Sequence, residues 1–139
     1  MNTKSEFERI MKTQTEIALA TNVNNESNVR IVNFIYDEAS QTLYFASFND
    51  NDKVKELEQN NNAAFTTIPN NGNEHVKVKG KVYKSNLSIY DIKDSFISKM
   101  PDYKEIIEQA GQFLILYEIR IDTAKVTLDF ENIDTLFLT

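Results

Sequence analysis

The chain has 139 residues, of which 41% are hydrophobic and 26% charged, a composition that fits one globular domain spanning residues 1–139. Its formal net charge of −6 argues against a general nucleic-acid binder and gives no support to binding at an anionic membrane surface. The absence of cysteine excludes disulfides, thiolate nucleophiles and Cys-based zinc sites. No apolar run approaches the length of a membrane span, and the N-terminal segment lacks a signal-peptide core. We therefore expect a cytoplasmic protein.

The N-terminal half reads as one helix followed by strands. Thr3 and Glu6 match a capping box, and apolar residues then recur at helical spacing, which predicts a helix from about Lys4 to Lys12. Short apolar runs bounded by turn residues predict three strands, over Glu16–Val23, Val29–Tyr36 and Thr42–Phe48.

The second and third of these strands are apolar at nearly every position, a pattern typical of strands buried on both faces. In an antiparallel meander, one face would lie in the core and the other against a helix or a second subunit. Together with the apolar run Gln112–Ile121, they offer more apolar surface than one small barrel can enclose. The pattern therefore predicts a homodimer.

The C-terminal half adds further strands and helices. Val54 and Leu57 indicate a two-turn helix, and a helical pattern from Leu87 to Gln109 is broken by Pro101 and ended by Gly111. Strands are predicted over Ala63–Ile68, Glu74–Ser85, Gln112–Ile121 and Ala124–Phe130. In the strand Glu74–Ser85, valines alternate with lysines, so one face is wet. Six or seven short strands with few helices are typical of a small β-barrel with helical additions.

The stretch FNDNDKVKELEQN, from Phe48 to Asn60, raises the choice between a metal loop, a helix cap and an anion site. An EF-hand would need glycine at the sixth position and glutamate at the twelfth, which this stretch lacks, so calcium is rejected. Asp52 or Asn51 is expected to cap the helix. Lys53 in the first turn opposes the helix macrodipole, so it is either a solvated lysine or part of an anion site.

Arg30 lies at the start of an otherwise apolar strand, where an unpaired arginine is rare. Its head group either reaches water at the strand end or joins Lys53 in gripping one phosphate from two sides. His75 is the sole histidine, which excludes a multi-histidine metal site. Asp91 and Asp94 lie three apart on a polar helix face and are interpreted as solvated. The sequence thus predicts no metal site and no catalytic residue.

The order Arg30-x-Val32, then YFAS, then Lys53 opening a helix, then HVKVKG resembles the FMN-binding split barrels related to pyridoxamine phosphate oxidase. The similarity extends in detail from Ile17 to Tyr83 and more loosely to Val126. It is greater to the small general-stress-protein branch than to the oxidase itself.

The resemblance implies a mainly β fold, a six-to-seven-stranded antiparallel split β-barrel (Greek key) with flanking helices. It also implies that Arg30 and Lys53 hold the phosphate of FMN. The other residues that it assigns to the flavin are the backbone of Ile31, Val32 and Asn33, the hydroxyl of Ser47, and His75 at a position where the family often has glutamine.

This sequence departs from the family pattern at three places. Asn51 stands where a phosphate-binding serine is usual, His75 replaces the glutamine, and the end ENIDTLFLT lacks the Arg-x-His element of the true oxidase. Oxidation of pyridoxamine phosphate is therefore not expected.

The resulting expectation is a homodimeric FMN-dependent oxidoreductase that acts on an unidentified small substrate, with the redox chemistry supplied by the flavin. Two alternatives remain: a carrier or sensor that holds flavin or haem without turnover, and a barrel that has lost its ligand and serves as a dimeric interaction module.

Overall fold

The computed structural model describes residues 1–49 and 52–138, in which the chain forms ten strands and four α-helices. The helices are α1 (Thr3–Thr13), α2 (Asp52–Gln59), α3 (Lys93–Lys99) and α4 (Tyr103–Ala110). The strands are β1 (Glu16–Val23), β2 (Glu26–Asn33), β3 (Ile35–Asp37), β4 (Thr42–Phe48), β5 (Asn62–Thr67), β6 (His75–Lys81), β7 (Tyr83–Lys84), β8 (Leu114–Arg120), β9 (Thr123–Thr127) and β10 (Ile133–Phe137).

The strands form two antiparallel sheets. One sheet has six strands in the order β10-β9-β6-β5-β1-β2, and the other has four in the order β3-β4-β8-β7. The predicted mainly β antiparallel class with flanking helices is confirmed, with ten strands where six or seven are predicted.

The higher strand count arises because two predicted strands each divide between the sheets. The chain leaves the six-stranded sheet at Phe34, between β2 and β3, and again at Val82, between β6 and β7. Both residues are buried where the chain crosses. The tenth strand, β10, forms from the C-terminal segment and pairs with β9. A continuous strand-like pattern in the sequence cannot show that its two ends pair in different sheets.

Strand β4 is buried on both faces, as predicted. Leu43 and Phe45 point into the main core, which β1, β6, β8, β9 and α1 also supply. Tyr44 packs into a second cluster with residues of α3 and α4, including Phe96 and Ile107. This strand therefore separates the two cores.

Strand β2 differs from its prediction, since most of it is exposed in the single chain. Val29 is 64% exposed and Ile31 60%. Both side chains lie on the outer face of the six-stranded sheet, because Arg30 between them pairs with the buried Leu19 and faces the core side. The predicted burial of this face therefore requires a contact that one chain does not supply.

The predicted capping box of α1 is wrong, whereas α4 does end at Ala110, directly before the predicted stop at Gly111. The cap of α1 is Asn2, whose side chain accepts a hydrogen bond from Ser5 N at 3.1 Å, while Thr3 Oγ1 donates to Asp134 at 2.6 Å. Gly111 has φ −56° and leads into a 3-10 turn, so it does not stop α4 through a left-handed conformation. A Cβ at Gly111 would lie 2.7 Å from the Tyr90 hydroxyl, so a larger residue there would require the exposed Tyr90 ring to move.

Candidate functional site

Arg30 points inward from the edge strand β2. It pairs with Leu19 of β1, and directly opposite residues of an antiparallel pair share one face. Leu19 is fully buried in the main core, so the Arg30 side chain also lies on the inner face. Its side chain is 19% exposed, which excludes the interpretation that the head group simply reaches water.

A hydrogen-bonded cluster surrounds this guanidinium. Arg30 Nη2 lies 2.8 Å from Glu56 Oε2, and Nη1 donates to Thr21 Oγ1 at 2.8 Å. Thr21 in turn donates to Glu56 Oε2 at 2.6 Å, and Asn28 Nδ2 donates to Glu56 Oε1 at 3.0 Å. The pKa of Glu56 falls to about 2, chiefly through the hydrogen bond from Thr21, with further bonds from Arg30 and Asn28. Glu56 is therefore ionised throughout the physiological range.

Lys53 lies one helical turn before Glu56, on the same side of α2. Its side chain is buried, with 5% of the residue exposed, which excludes the interpretation of a solvated lysine. Burial lowers its pKa, repulsion from Arg30 lowers it further, and attraction to Glu56 partly opposes both effects. The structure thus brings Arg30 and Lys53 into one electrostatic cluster, which we call the cationic cluster, made of Arg30, Lys53 and Glu56.

Asp52 opens α2 as its first residue, where a carboxylate complements the macrodipole. Asn51, with its predicted capping and phosphate-binding roles, lies outside the described residues. Ser47 near the end of β4 is 4% exposed, and within the described part of the chain its Oγ has no hydrogen-bond partner. A buried hydroxyl in that state favours a polar partner from outside the chain.

The backbone of Ile31, Val32 and Asn33 belongs to an edge strand, since within the described residues β2 pairs only with β1. Phe34 N donates to Thr15 O at 3.1 Å, which places Phe34 among the residues that bond toward β1. By the alternation of an antiparallel ladder, the backbone groups of Ile31 and Asn33 point to the open edge. Groups of a planar ligand can therefore bond to this edge.

His75 does not lie with the other predicted residues. It opens β6, three strands away from β2, which corresponds to roughly 14 Å across the sheet. Its neighbour Val76 is buried in the core, so His75 faces outward, and its Nδ1 lies 2.7 Å from Asn73 O. Within one chain, His75 and Arg30 therefore line different surfaces.

A cavity of about 1000 Å³ opens beyond the end of β2. Its walls include Ile35, Tyr36 and Tyr44, and Lys99 of α3 contributes a half-buried amine. Burial lowers the pKa of Lys99 to about 7. The sequence pattern does not distinguish Lys99 or Glu56, since each resembles an ordinary charge on an amphipathic helix. The available signal for Glu56 was its spacing of three residues from Lys53.

Among the described residues, no group of three or more His, Cys, Asp or Glu side chains is arranged to hold a metal ion. Over the same ranges, no helix has the length and apolar character required to cross a bilayer.

Solved structures with similar folds come from several bacteria. General Stress Protein 26 from Bacillus anthracis has a TM-score of 0.77 and 17% identity, with 99% of this chain and 100% of that one covered. A heme binding protein from Mycobacterium smegmatis has a TM-score of 0.78 and 10% identity, with 99% of this chain but 58% of that one covered. A FAD-binding protein from Mesorhizobium loti has a TM-score of 0.66 and 15% identity, over 86% and 90% of the two chains.

At these identities, the structural matches establish the fold alone, and a search of curated proteins finds no match. The family model described as "Pyridoxamine 5'-phosphate oxidase-like" matches residues 10–133, which is most of the sequence. The chain therefore belongs to the pyridoxamine 5'-phosphate oxidase-like family.

Proposed function

We propose that this protein is a cytoplasmic homodimeric flavoprotein that binds FMN and uses it to oxidise or reduce a small substrate. The observation that carries the proposal is the convergence of Arg30 and Lys53 in one buried cluster. Two cations in a site of low exposure are costly without an anion to bind. The carboxylate of Glu56 bonds to Arg30, and a phosphate would be a second anion within reach of both cations.

The residues present fit FMN in three respects. Arg30 and Lys53 would hold its phosphate, and the buried Ser47 hydroxyl would gain the hydrogen-bond partner that it lacks among the described residues. The open edge of β2 at Ile31 and Asn33 would bond to the polar edge of the ring system. The FMN, when bound, supplies the electron transfer, and the chain's own residues anchor and orient it.

Two observations support the proposed homodimer. Val29 and Ile31 are exposed side chains of β2, the strand whose open edge would bind the flavin. His75 lies on the outer face, so a contact between His75 and the flavin held at Arg30 would require a second copy of the chain. The cavity beside the end of β2 has a volume of about 1000 Å³, which is large enough for a small substrate.

A second candidate is a carrier or sensor that holds flavin or haem without turnover. The observation in its favour is structural similarity to a heme binding protein from Mycobacterium smegmatis, with a TM-score of 0.78. A visible spectrum of protein reconstituted with FMN or with haem distinguishes the ligands. NAD(P)H oxidation in the presence of FMN then distinguishes an enzyme from a carrier.

The decisive test is a titration of wild type, Arg30→Ala and Lys53→Ala with FMN and with riboflavin, which lacks the phosphate. Loss of a hydrogen bond to a charged group is expected to weaken FMN binding by roughly 1.5–3 kcal/mol in each variant. Riboflavin binding should change much less. Lys55→Ala is the matched control, because Lys55 is an exposed lysine of the same helix.

Equal losses for both flavins, or no loss for either, would contradict phosphate binding at this cluster. Separately, we expect no significant conversion of pyridoxamine phosphate, and robust formation of pyridoxal phosphate by the FMN-loaded protein would contradict that expectation.

A further inference from the structure

Glu56 occupies the centre of the cationic cluster and bonds to three side chains. Its Oε2 accepts from Thr21 and Arg30, and its Oε1 accepts from Asn28. These partners lie on β1 and β2, whereas Glu56 belongs to α2. One carboxylate thus joins the helix that carries Lys53 to the strand that carries Arg30.

Among the described residues, Arg30 uses only some of its N–H donors in hydrogen bonds. A guanidinium has five N–H groups, and two of them bond to Thr21 and Glu56. A phosphate can therefore bind Arg30 while Glu56 stays in place. It then lies beside an ionised carboxylate, and like charges at such short range repel each other.

Resting on the proposed function, we propose that Glu56 is a resident anion that stabilises the ligand-free cluster and weakens its affinity for a phosphate monoester. In the ligand-free protein, Glu56 offsets positive charge at Arg30 and Lys53. In the bound protein, the phosphate does so, and the carboxylate then opposes it. Glu56 thus determines how tightly the site holds a phosphate group and keeps binding weak enough for the ligand to exchange.

The test compares Glu56→Gln with wild type. Glutamine keeps an oxygen for Thr21 and Arg30 but removes the charge. We expect the melting temperature of ligand-free Glu56→Gln to fall, its dissociation constant for FMN to decrease about tenfold, and its affinity for riboflavin to stay unchanged. Glu58→Gln is the matched control, because it makes the same change of net charge on an exposed residue of the same helix.

Two further variants separate charge from positioning. Thr21→Val removes the hydroxyl that bonds to both Arg30 and Glu56 but keeps every charge, so it measures the contribution of positioning to FMN affinity. Asn28→Asp adds a second carboxylate beside Glu56 and should weaken FMN binding several-fold while sparing riboflavin. This variant tests the charge effect even if Glu56→Gln does not fold.

Weaker FMN binding by Glu56→Gln, or unchanged binding by both charge variants, would overturn the inference and leave the proposed function standing. Equal tightening in Glu58→Gln would also overturn it, since the effect would then be one of net charge. Failure of FMN to bind wild type and every variant would overturn the proposed function and this inference with it.

Discussion

The low pKa of Glu56 predicts a specific pH dependence of stability. Its folded pKa of about 2 lies below the ordinary value of 4.5, so folding favours the ionised form. The stability that this group contributes is complete above pH 4.5 and is lost as the pH falls toward 2. Chemical denaturation from pH 6 to pH 2.5 should show a steeper loss for wild type than for Glu56→Gln, with Glu58→Gln resembling wild type. Parallel curves for all three proteins would contradict the assignment.

At the residue scale, the sequence identified Arg30 and Lys53 because each violates a local rule: a cation in an apolar strand and a cation at a helix start. It could not identify Glu56 as their partner, because the contact between Arg30 and Glu56 joins residues 26 apart in the chain. It placed His75 beside the flavin by resemblance alone. The separation of His75 from Arg30 depends on the strand order, which no local pattern contains.

At the scale of elements, Lys99 attaches helix α3 to the rest of the fold. Its Nζ donates to Met11 O at 2.9 Å and Phe34 O at 3.1 Å, and it lies 3.7 Å from the centre of the Phe34 ring. These contacts join α3 to the end of α1 and to the point where the chain changes sheets. Helix α3 has only seven residues, so tertiary contacts of this kind are needed to hold it.

The low pKa of Lys99 also predicts how the stability of the protein changes at alkaline pH. Its folded pKa of about 7 lies below the ordinary 10.5, so the unfolded chain binds more protons between these values. Lys99 therefore makes the protein more stable as the pH rises from 7 toward 9.5. Lys99→Met should lose this increase in urea-unfolding measurements, whereas Lys93→Met, an exposed change on the same helix, should keep it. The same slope in Lys99→Met would show that Lys99 is not the cause.

The break at Pro101 and the two-turn helix α2 were predictable from local chemistry. Proline cannot continue a helix, and apolar residues at helical spacing mark a buried face. The cap of α1 was not predictable, because the Thr3 hydroxyl can either cap the helix or bond to a residue far away in the chain. Its hydroxyl bonds to Asp134, 131 residues away, and Asn2 takes the capping position.

At the scale of the whole molecule, the outer face of β2 predicts a dimer. We expect light scattering at micromolar concentration to give about twice the monomer mass of 16.0 kDa. Ile31→Lys should shift the protein toward monomer, because it places a charge in the apolar contact. Ile106→Lys, on helix α4, is the control and should not do so. A wild-type mass near 16.0 kDa would contradict the prediction.

The architecture was predictable as a class because strand length, alternation and turn residues are local properties. The division into two sheets was not, since it depends on the buried crossings at Phe34 and Val82. The lysine-rich strand β6 was interpreted correctly, with Val76 and Val78 buried and its lysines exposed. Alternation of valine and lysine shows directly which face of a strand is buried.

The turn between β1 and β2 has a consequence for the order of folding. Val23 pairs with Glu26, and the two residues between them, Asn24 and Asn25, have φ of 54° and 64°. Two consecutive left-handed residues form the turn that best matches the twist of a hairpin, and asparagine adopts it readily. This hairpin should therefore form within microseconds of collapse and bring Thr21 to Arg30. Helix α2 then supplies Glu56, which is at most 35 residues from its partners in the chain. Strands β9 and β10 complete the six-stranded sheet later. The cationic cluster joins residues at most 35 apart, whereas β6 pairs with β9 across about 50 residues, so mutations in the cluster should slow folding more than equally destabilising changes where β6 meets β9.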